Sequence, residues 1–240
     1  MMKISALLTG RGNNTLRDKN ILDILGHPVL YYPAHAAKNC SLIDSFYCSS
    51  DDDKILNEAE KEGFFKIRRP KELALPTSQH IDTVMHGLDV IEKREGVVDI
   101  LVVLLANNVT VRSYWLTNCI NMMIEDKSLT AVVPVYEDND HHPLRAKVID
   151  ENNRIQMFEK GVSGKISTNR QDLTPCYFLS HNFWVLNVAN LKSGNMGQQP
   201  WSFMGNNIAP YIIDDSIDIH HNIDLMIAKE WVENNYTEAE

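Results

Sequence analysis

The sequence predicts an α/β fold in three layers, a mostly parallel sheet covered by helices on both faces. Three observations lead there. Short apolar runs of strand length recur through about residue 135, helix signals fill the gaps between them, and the first run passes straight into a glycine-containing loop. Such a sheet places its ligand site in the crevice beyond the carboxyl ends of its strands. A chain of 240 residues is long enough for one well-packed core with a modest appendage and short for two, so residues 1–240 read as one domain.

Ile4 to Leu8 is the first expected strand, followed by Ser45 to Cys48, Phe64 to Ile67, Ile100 to Leu105 and Thr130 to Val135. Between the second and third, Asp51, Asp52 and Asp53 precede Ile55, Leu56 and Ala59. Acidic residues cap a helix and suit its positive end, and Gly63 supplies the stop. Ile81, Val84, Met85, Leu88 and Ile91 then recur at spacings of three and four, one face of a helix. After Pro134 the alternation breaks. Ala146 to Ile149 and Ile155 to Phe158 flank a turn at Glu151-Asn152-Asn153 and read as a hairpin excursion. Lys160 to Pro175 is polar, a long loop that is either mobile or held by a ligand or a second subunit. Phe183 to Val188 returns as a strand, and Asn222 is the expected N-cap of a last helix carrying Ile223, Met226, Ile227, Ala228 and Trp231.

Hydrophobic residues at 44% and charged residues at 23% are those of a folded globular chain. The formal net charge of −9 argues against nucleic-acid and membrane partners, because polyanionic surfaces are bound by a Lys/Arg excess. A small anion needs only a local cluster. Cys40, Cys48, Cys119 and Cys176 have no zinc spacing and read as reduced, mostly buried thiols, which points to the cytoplasm. The N-terminal apolar run is too short for a signal-peptide core, and no stretch approaches the roughly 20 apolar residues of a membrane span.

Three loops carry residues suited to chemistry. The first, after the opening strand, holds Gly10, Arg11, Gly12, Asn13, Asn14, Arg17, Lys19 and Asn20. Its glycines and N–H groups with three cations read either as a polyphosphate site or as a polar surface loop. It has no Gly-Lys-Ser/Thr of a Walker A loop and no third glycine of a dinucleotide fingerprint. The second holds Asp218 and His220, which share one side of an extended segment and could share a cation; capping of the following helix is the alternative. In the third, His141, His142 and Arg145 decorate a loop, and Arg145 reads either as a solvated strand arginine, the default, or as a bidentate grip on a carboxylate. Arg68, Arg69 and Arg112 add charge at expected strand ends, where each reads equally as a surface residue. No Ser-His-Asp order or Cys-His pair supports a covalent nucleophile.

Taken in order, these segments resemble the acylneuraminate cytidylyltransferase family, the CMP-sialic acid synthetases and relatives acting on legionaminic, pseudaminic and related sugars. The resemblance covers nearly the whole chain. It rests on Arg11 through Lys19-Asn20-Ile21 in place of Arg-Gly-Gly-Ser-Lys-Gly-Ile-Pro-x-Lys-Asn, on Ser49-Ser50-Asp51, and on Arg69-Pro70-Lys71-Glu72-Leu73-Ala74. Further along come His141-His142-Pro143-Leu144-Arg145 and Ser216-Ile217-Asp218-Ile219 followed by Asp224-Leu225.

The resemblance implies a Rossmann-like, GT-A-like nucleotidyltransferase core with residues 137–183 as a dimerisation hairpin. It implies transfer of CMP from CTP to the anomeric hydroxyl of a nonulosonic acid, with pyrophosphate released. Arg11, Lys19 and Asn20 would hold the CTP phosphates and ribose, with Gly10, Gly12, Asn13 and Arg17 in the same loop. Arg69 and the stretch from Ser78 to His80 would border the cytidine. Asp218 would bind Mg²⁺, with Arg11 and Lys19 completing the catalytic set. Asn107, Arg112, His141 and Arg145 would meet the acidic sugar in a homodimer. The chain also departs from the family pattern. Its first loop is one residue shorter and lacks the central Lys, leaving either Arg17 or nothing to supply that charge. Leu105 to Arg112 keeps only the ends of Leu-Gln-Pro-Thr-Ser-Pro-Leu-Arg, and His220 stands where the second metal-side aspartate is expected, so that position would either act through water or accept Mn²⁺ more readily. Two other readings are a nucleotidyltransferase for a 3-deoxy-octulosonate-type acid or a sugar phosphate, and a non-catalytic nucleotide-binding homologue.

Overall fold

The computed structural model describes residues 2–12, 14–162, 164–194 and 197–236. Its strands in chain order are β1 (Ile4–Thr9), β2 (Asp23–Ile24), β3 (His27–Pro28), β4 (Ser45–Ser50), β5 (Phe65–Arg68), β6 (Ile100–Leu105), β7 (Ala131–Glu137), β8 (Lys147–Ile149), β9 (Ile155–Met157), β10 (Tyr177–Leu179), β11 (Phe183–Asn187) and β12 (Ile208–Ile212). Helices α1 (Tyr31–Lys38), α2 (Asp53–Lys61), α3 (His80–Glu95), α4 (Ser113–Glu125), α5 (Val188–Ser193) and α6 (Asn222–Asn235) pack around them.

The main sheet runs β5-β4-β1-β6-β11-β7; β10 continues beside the far end of β7, and β12 pairs along the other edge of β7. The pairs β1 to β4, β1 to β6, β4 to β5 and β7 to β12 are parallel, whereas β11 is antiparallel to both its neighbours. This is the mostly parallel, two-faced sheet that the apolar runs predict. Alternate residues of each strand face opposite layers. Leu8, Val102 and Leu104 pack with α1, α2 and α4, while Leu7, Leu101 and Val103 pack with α3 and α5. A third cluster, with Ile24, Tyr32, Ile219, Ala228 and Val232, seats α6 on the small β2–β3 hairpin.

Helix α2 is capped as expected: the Asp52 side chain accepts from Lys54 N, and Gly63 sits at φ +79° just beyond the last turn. Two expectations are corrected. Strand β7 runs two residues past the expected Val135, to Glu137. The Pro134 carbonyl accepts from Ser180 N where pairing switches from β11 to β10, a break that tolerates a missing N–H. The N-cap of α6 is His221 and not Asn222, because the His221 side chain accepts from the third helical N–H while Asp224 accepts from His221 N. The hairpin excursion exists as β8 and β9, with Ile149 opposite Ile155. No helix among the described residues is long and apolar enough to cross a membrane.

Candidate functional site

A cleft of about 360 Å³ opens at the carboxyl ends of β1, β5 and β6, lined there by Thr9 and Gly10, Arg69, and Leu105 and Asn107. This is the crevice in which parallel α/β sheets bind ligands. Gly10 is closely packed: a Cβ there would stand 3.1 Å from Ala106 Cβ and 3.2 Å from Ile55 Cγ2, tighter than ordinary van der Waals contact. Gly12 donates its N–H to Asp51 Oδ1 at 3.0 Å, so that amide is already engaged by a carboxylate.

Three cations converge on the cleft. Arg11 Nη1 donates to the Leu75 carbonyl at 2.9 Å, and the Arg11 carbonyl is held by Asn20 Nδ2 at 3.0 Å. Lys19 is buried and its Nζ donates to the Ile219 carbonyl at 2.8 Å. Burial pulls its pKa below the usual lysine value and Arg11 adds to the effect, while Asp218 and Asp224 oppose it. Arg69 is 5% exposed; its Nε and Nη2 donate to Ser49 Oγ at 3.3 Å and Ser49 O at 2.7 Å. Burial lowers its pKa to about 10, so it stays charged at neutral pH. None of the described residues lining the cleft is acidic, in a chain of net charge −9.

His80, the first residue of α3, lines the same cleft with Nε2 3.0 Å from Thr9 Oγ1. Burial, then Arg69 and His181, lower its pKa to about 4, so the ring is neutral at pH 7. Ser78 also lines the cleft, but its hydroxyl closes its own turn, donating to the Glu72 carbonyl at 2.7 Å. The other wall carries Asn107 and His220, and behind them Asp218, which does not itself line the cleft, accepts from the Asn107 side-chain amide and from His220 Nε2, the latter at 3.0 Å. Asp218 and His220 do share one side of an extended segment. That segment is anchored by Ile219, fully buried, whose N–H donates to the Asn107 carbonyl at 3.0 Å.

Other expected site residues lie elsewhere. Arg17 is solvent-exposed and its nearest carboxylate is Asp18 at 3.8 Å, so it does not replace the missing loop lysine in the cleft. The loop turns between Arg17 and Lys19, with Asp18 in the left-handed region at φ 55°, and sends Lys19 inward. Arg112 leaves the cleft for the C-terminal helix, where Nη1 donates to Asn235 O and the guanidinium lies 5.0 Å from the Trp231 ring. His141 pairs with Asp138 and Arg145 with Asp140, at 2.6 and 3.2 Å, both outside the cleft of their own chain. Asn13 lies outside the described residues. Sequence reasoning missed Thr9 and Thr83 on the cleft wall, and His181, at φ 52° with its ring 4.7 Å from Trp201 and electrostatically coupled to Asp218. A polar residue closing an apolar strand is the one signal that could have found Thr9; His181 carries none.

A family model described as cytidylyltransferase matches residues 12–161. The pseudaminic acid cytidylyltransferase of Campylobacter jejuni is 25% identical over 178 residues, 73% of this chain and 75% of that protein. The N-acylneuraminate cytidylyltransferase of Escherichia coli is 29% identical over 89 residues, 37% of this chain and 21% of that one. Among solved structures, a CMP:2-keto-3-deoxy-manno-octonic acid synthetase complexed with CTP aligns with a TM-score of 0.70 at 15% identity, covering 98% of this chain and all (100%) of that one. The 4-diphosphocytidyl-2C-methyl-D-erythritol synthase of Anaerococcus prevotii aligns at 0.66 with 13% identity, covering 97% and 99%. These two likenesses establish the fold. With the family model spanning more than half of the sequence, Lys19 and Arg69 of the cationic cleft among the residues matched, the chain belongs to the cytidylyltransferase family.

Proposed function

We propose that this chain transfers CMP from CTP to the anomeric hydroxyl of a nonulosonic, sialic-acid-like sugar acid and releases pyrophosphate. The observation that carries the reading is electrostatic: Arg11, Lys19 and Arg69 meet in a cleft free of acidic lining in a chain of net charge −9. Such a cleft attracts a compact polyanion. In the reaction the sugar hydroxyl oxygen bonds to the α-phosphorus, the bond to the bridging oxygen breaks, and pyrophosphate departs with that electron pair while the hydroxyl proton passes to water. This chemistry needs alignment and charge stabilisation more than a covalent intermediate. Arg11, tied by a single carbonyl, can turn its guanidinium onto the phosphates. Lys19 supplies a fixed positive charge from below.

Mg²⁺ fits here in a limited way. Among the described residues no three His, Cys, Asp or Glu side chains gather as a metal site. Mg²⁺, however, usually keeps several waters and uses one or two carboxylates beside substrate phosphates, so Asp218 would hold an ion that the triphosphate itself brings. When bound it would neutralise charge developing on the phosphates. His220 beside Asp218 offers nitrogen where oxygen suits Mg²⁺, so Mn²⁺ would be accepted more readily. The hairpin of β8 and β9 would pair two copies and bring Arg145 to a partner's sugar site.

A pyrophosphate-release screen with CTP and a panel of sugar acids tests the reading. Turnover with nonulosonic acids, dependent on a divalent cation and lost in Asp218→Asn, is expected. Turnover only with a 3-deoxy-octulosonate or a sugar phosphate would change the substrate class, and cation-independent turnover would remove the metal. A second reading, a nucleotide-binding homologue without turnover, draws on one observation: Arg17 faces solvent and leaves the shortened loop a cation short. CTP binding with no release across the whole panel would establish it.

A further inference from the structure

The carboxylate of Asp218 is held at both oxygens: Oδ1 accepts from Asn107 Nδ2, and Oδ2 accepts from His220 Nε2 at 3.0 Å. A carboxylate only accepts, so both nitrogens carry the protons, and His220 has only Nδ1 left for an ion. The Ile219 carbonyl, also only an acceptor, lies 3.5 Å from the same Asn107 Nδ2 and takes Lys19 Nζ at 2.8 Å. Acceptors on that one side fix the Asn107 amide with its nitrogen toward Asp218. The backbone beneath it is fixed as well. The Asn107 carbonyl accepts from Ile219 N at 3.0 Å, and Asn108 pairs with Asp218 in an antiparallel bridge. Asn108 is fully buried and closes the turn, its Oδ1 accepting from Thr110 N at 3.0 Å and from Thr110 Oγ1 at 2.7 Å. The amide therefore reaches Asp218 from pinned backbone.

We infer that Asn107 is a positioning residue for the cation, holding the Asp218 carboxylate in one orientation so that its remaining lone pairs meet an ion carried by the triphosphate. The inference rests on the reading of Asp218 as the residue that holds that ion. An amide suits the task, because it orients a carboxylate without cancelling its charge as a lysine or arginine partner would. Each carboxylate oxygen has two lone pairs, so one on each stays open after both bonds are made. The Asp218 side chain is 29% exposed, which leaves those lone pairs a path to an ion. His220 supplies no second carboxylate beside it, so the orientation of this one matters the more. Groups that orient a metal ligand contribute about 10- to 100-fold to metal affinity.

The test is equilibrium binding of CTP, once with Mn²⁺ and once with EDTA, to the wild-type chain, Asn107→Ala, Asp218→Asn and the double variant, each checked for an unchanged melting temperature. Asn107→Leu, which keeps the volume but cannot donate, stands in if the alanine variant does not fold. The wild type should bind CTP more tightly with Mn²⁺ than without. Asn107→Ala should lose about tenfold of that preference while its metal-free affinity stays within about twofold. Asp218→Asn should lose the preference altogether, and adding Asn107→Ala to it should take nothing further. An Asn107→Ala chain with the full preference would overturn the inference, as would one that loses affinity equally with and without Mn²⁺. So would a double variant whose preference falls about tenfold below that of Asp218→Asn, since Asn107 would then act without Asp218. A wild type with no preference for Mn²⁺, or an Asp218→Asn chain that keeps it, would instead remove the cation reading of Asp218, and this inference with it.

Discussion

At Lys19, stability and function pull in opposite directions. Its ammonium is buried against the Ile219 carbonyl and its pKa is lowered, chiefly by that burial. A lysine whose folded pKa lies below its unfolded one weakens the fold at neutral pH, where the charge must be buried, and the penalty fades as pH rises through the folded value toward 10.5. A bound anion would offset that cost, as the proposed CTP site requires. Lys19→Met should therefore keep or raise the melting temperature at pH 7, while cutting kcat/KM for CTP by about a hundredfold or more, the scale of one charge-assisted contact in a transition state. Melting curves with initial rates on the same preparation decide it. A variant that melts lower and keeps its rate would make Lys19 a purely structural residue.

Among the elements, α3 is the one whose position matters most, because its first residue is His80 and its middle rests on β1. Gly87 is where the two touch: a Cβ there would stand 2.6 Å from Leu7 Cδ2, in the fully buried core. In an exposed helix, glycine to alanine stabilises by up to about 1 kcal/mol. Here the added methyl must displace a core leucine, and overpacking costs about 1–3 kcal/mol. Gly87→Ala should thus lower stability in urea unfolding, and it should also weaken CTP binding by shifting His80 against Thr9. A Gly87→Ala chain more stable than the wild type would show that the core yields there freely.

For the molecule as a whole, the β8–β9 hairpin is a part whose apolar side chains the chain itself leaves uncovered. Ile149, Ile155 and Phe158 are mostly exposed, and Ile149 and Ile155 face each other across the two strands. A two-stranded hairpin is marginal in water, and an exposed apolar patch of this kind marks an interface. We expect a two-fold dimer at working concentration by light scattering, and a monomer for Ile155→Lys. Mixing Arg145→Ala chains with Arg11→Ala chains should then recover one competent site per heterodimer. A wild-type monomer would end the dimer reading; a heterodimer without recovered activity would place Arg145 at its own chain's site or at none.

The sequence by itself determined the layers. Apolar runs at strand length, the Asp52 cap, Gly63 and the three- and four-residue spacing of Ile81, Val84 and Leu88 are local signals, and local physics suffices to read them. It also located the first loop and the Asp218 segment as places for chemistry. It could not show α1, because Tyr31, Tyr32, Ala34, Ala36 and Ala37 are all buried and an all-round apolar helix has no periodicity to detect. Nor could it show β12, whose Pro210 argues against a strand but is tolerated on the edge it occupies. Only the tertiary structure decided which charges belong to the site. Arg17 and Lys19 are equal candidates in one loop until the turn at Asp18 sends one outward and the other under Ile219. Arg112 and Arg69 both follow strands, yet α6 takes the first and the cleft takes the second. The pairing of His80 with Thr9 spans 71 residues, and that of Asn107 with Asp218 spans 111. Side-chain direction and protonation at such positions are set by contacts far away in the chain, and no local pattern carries them.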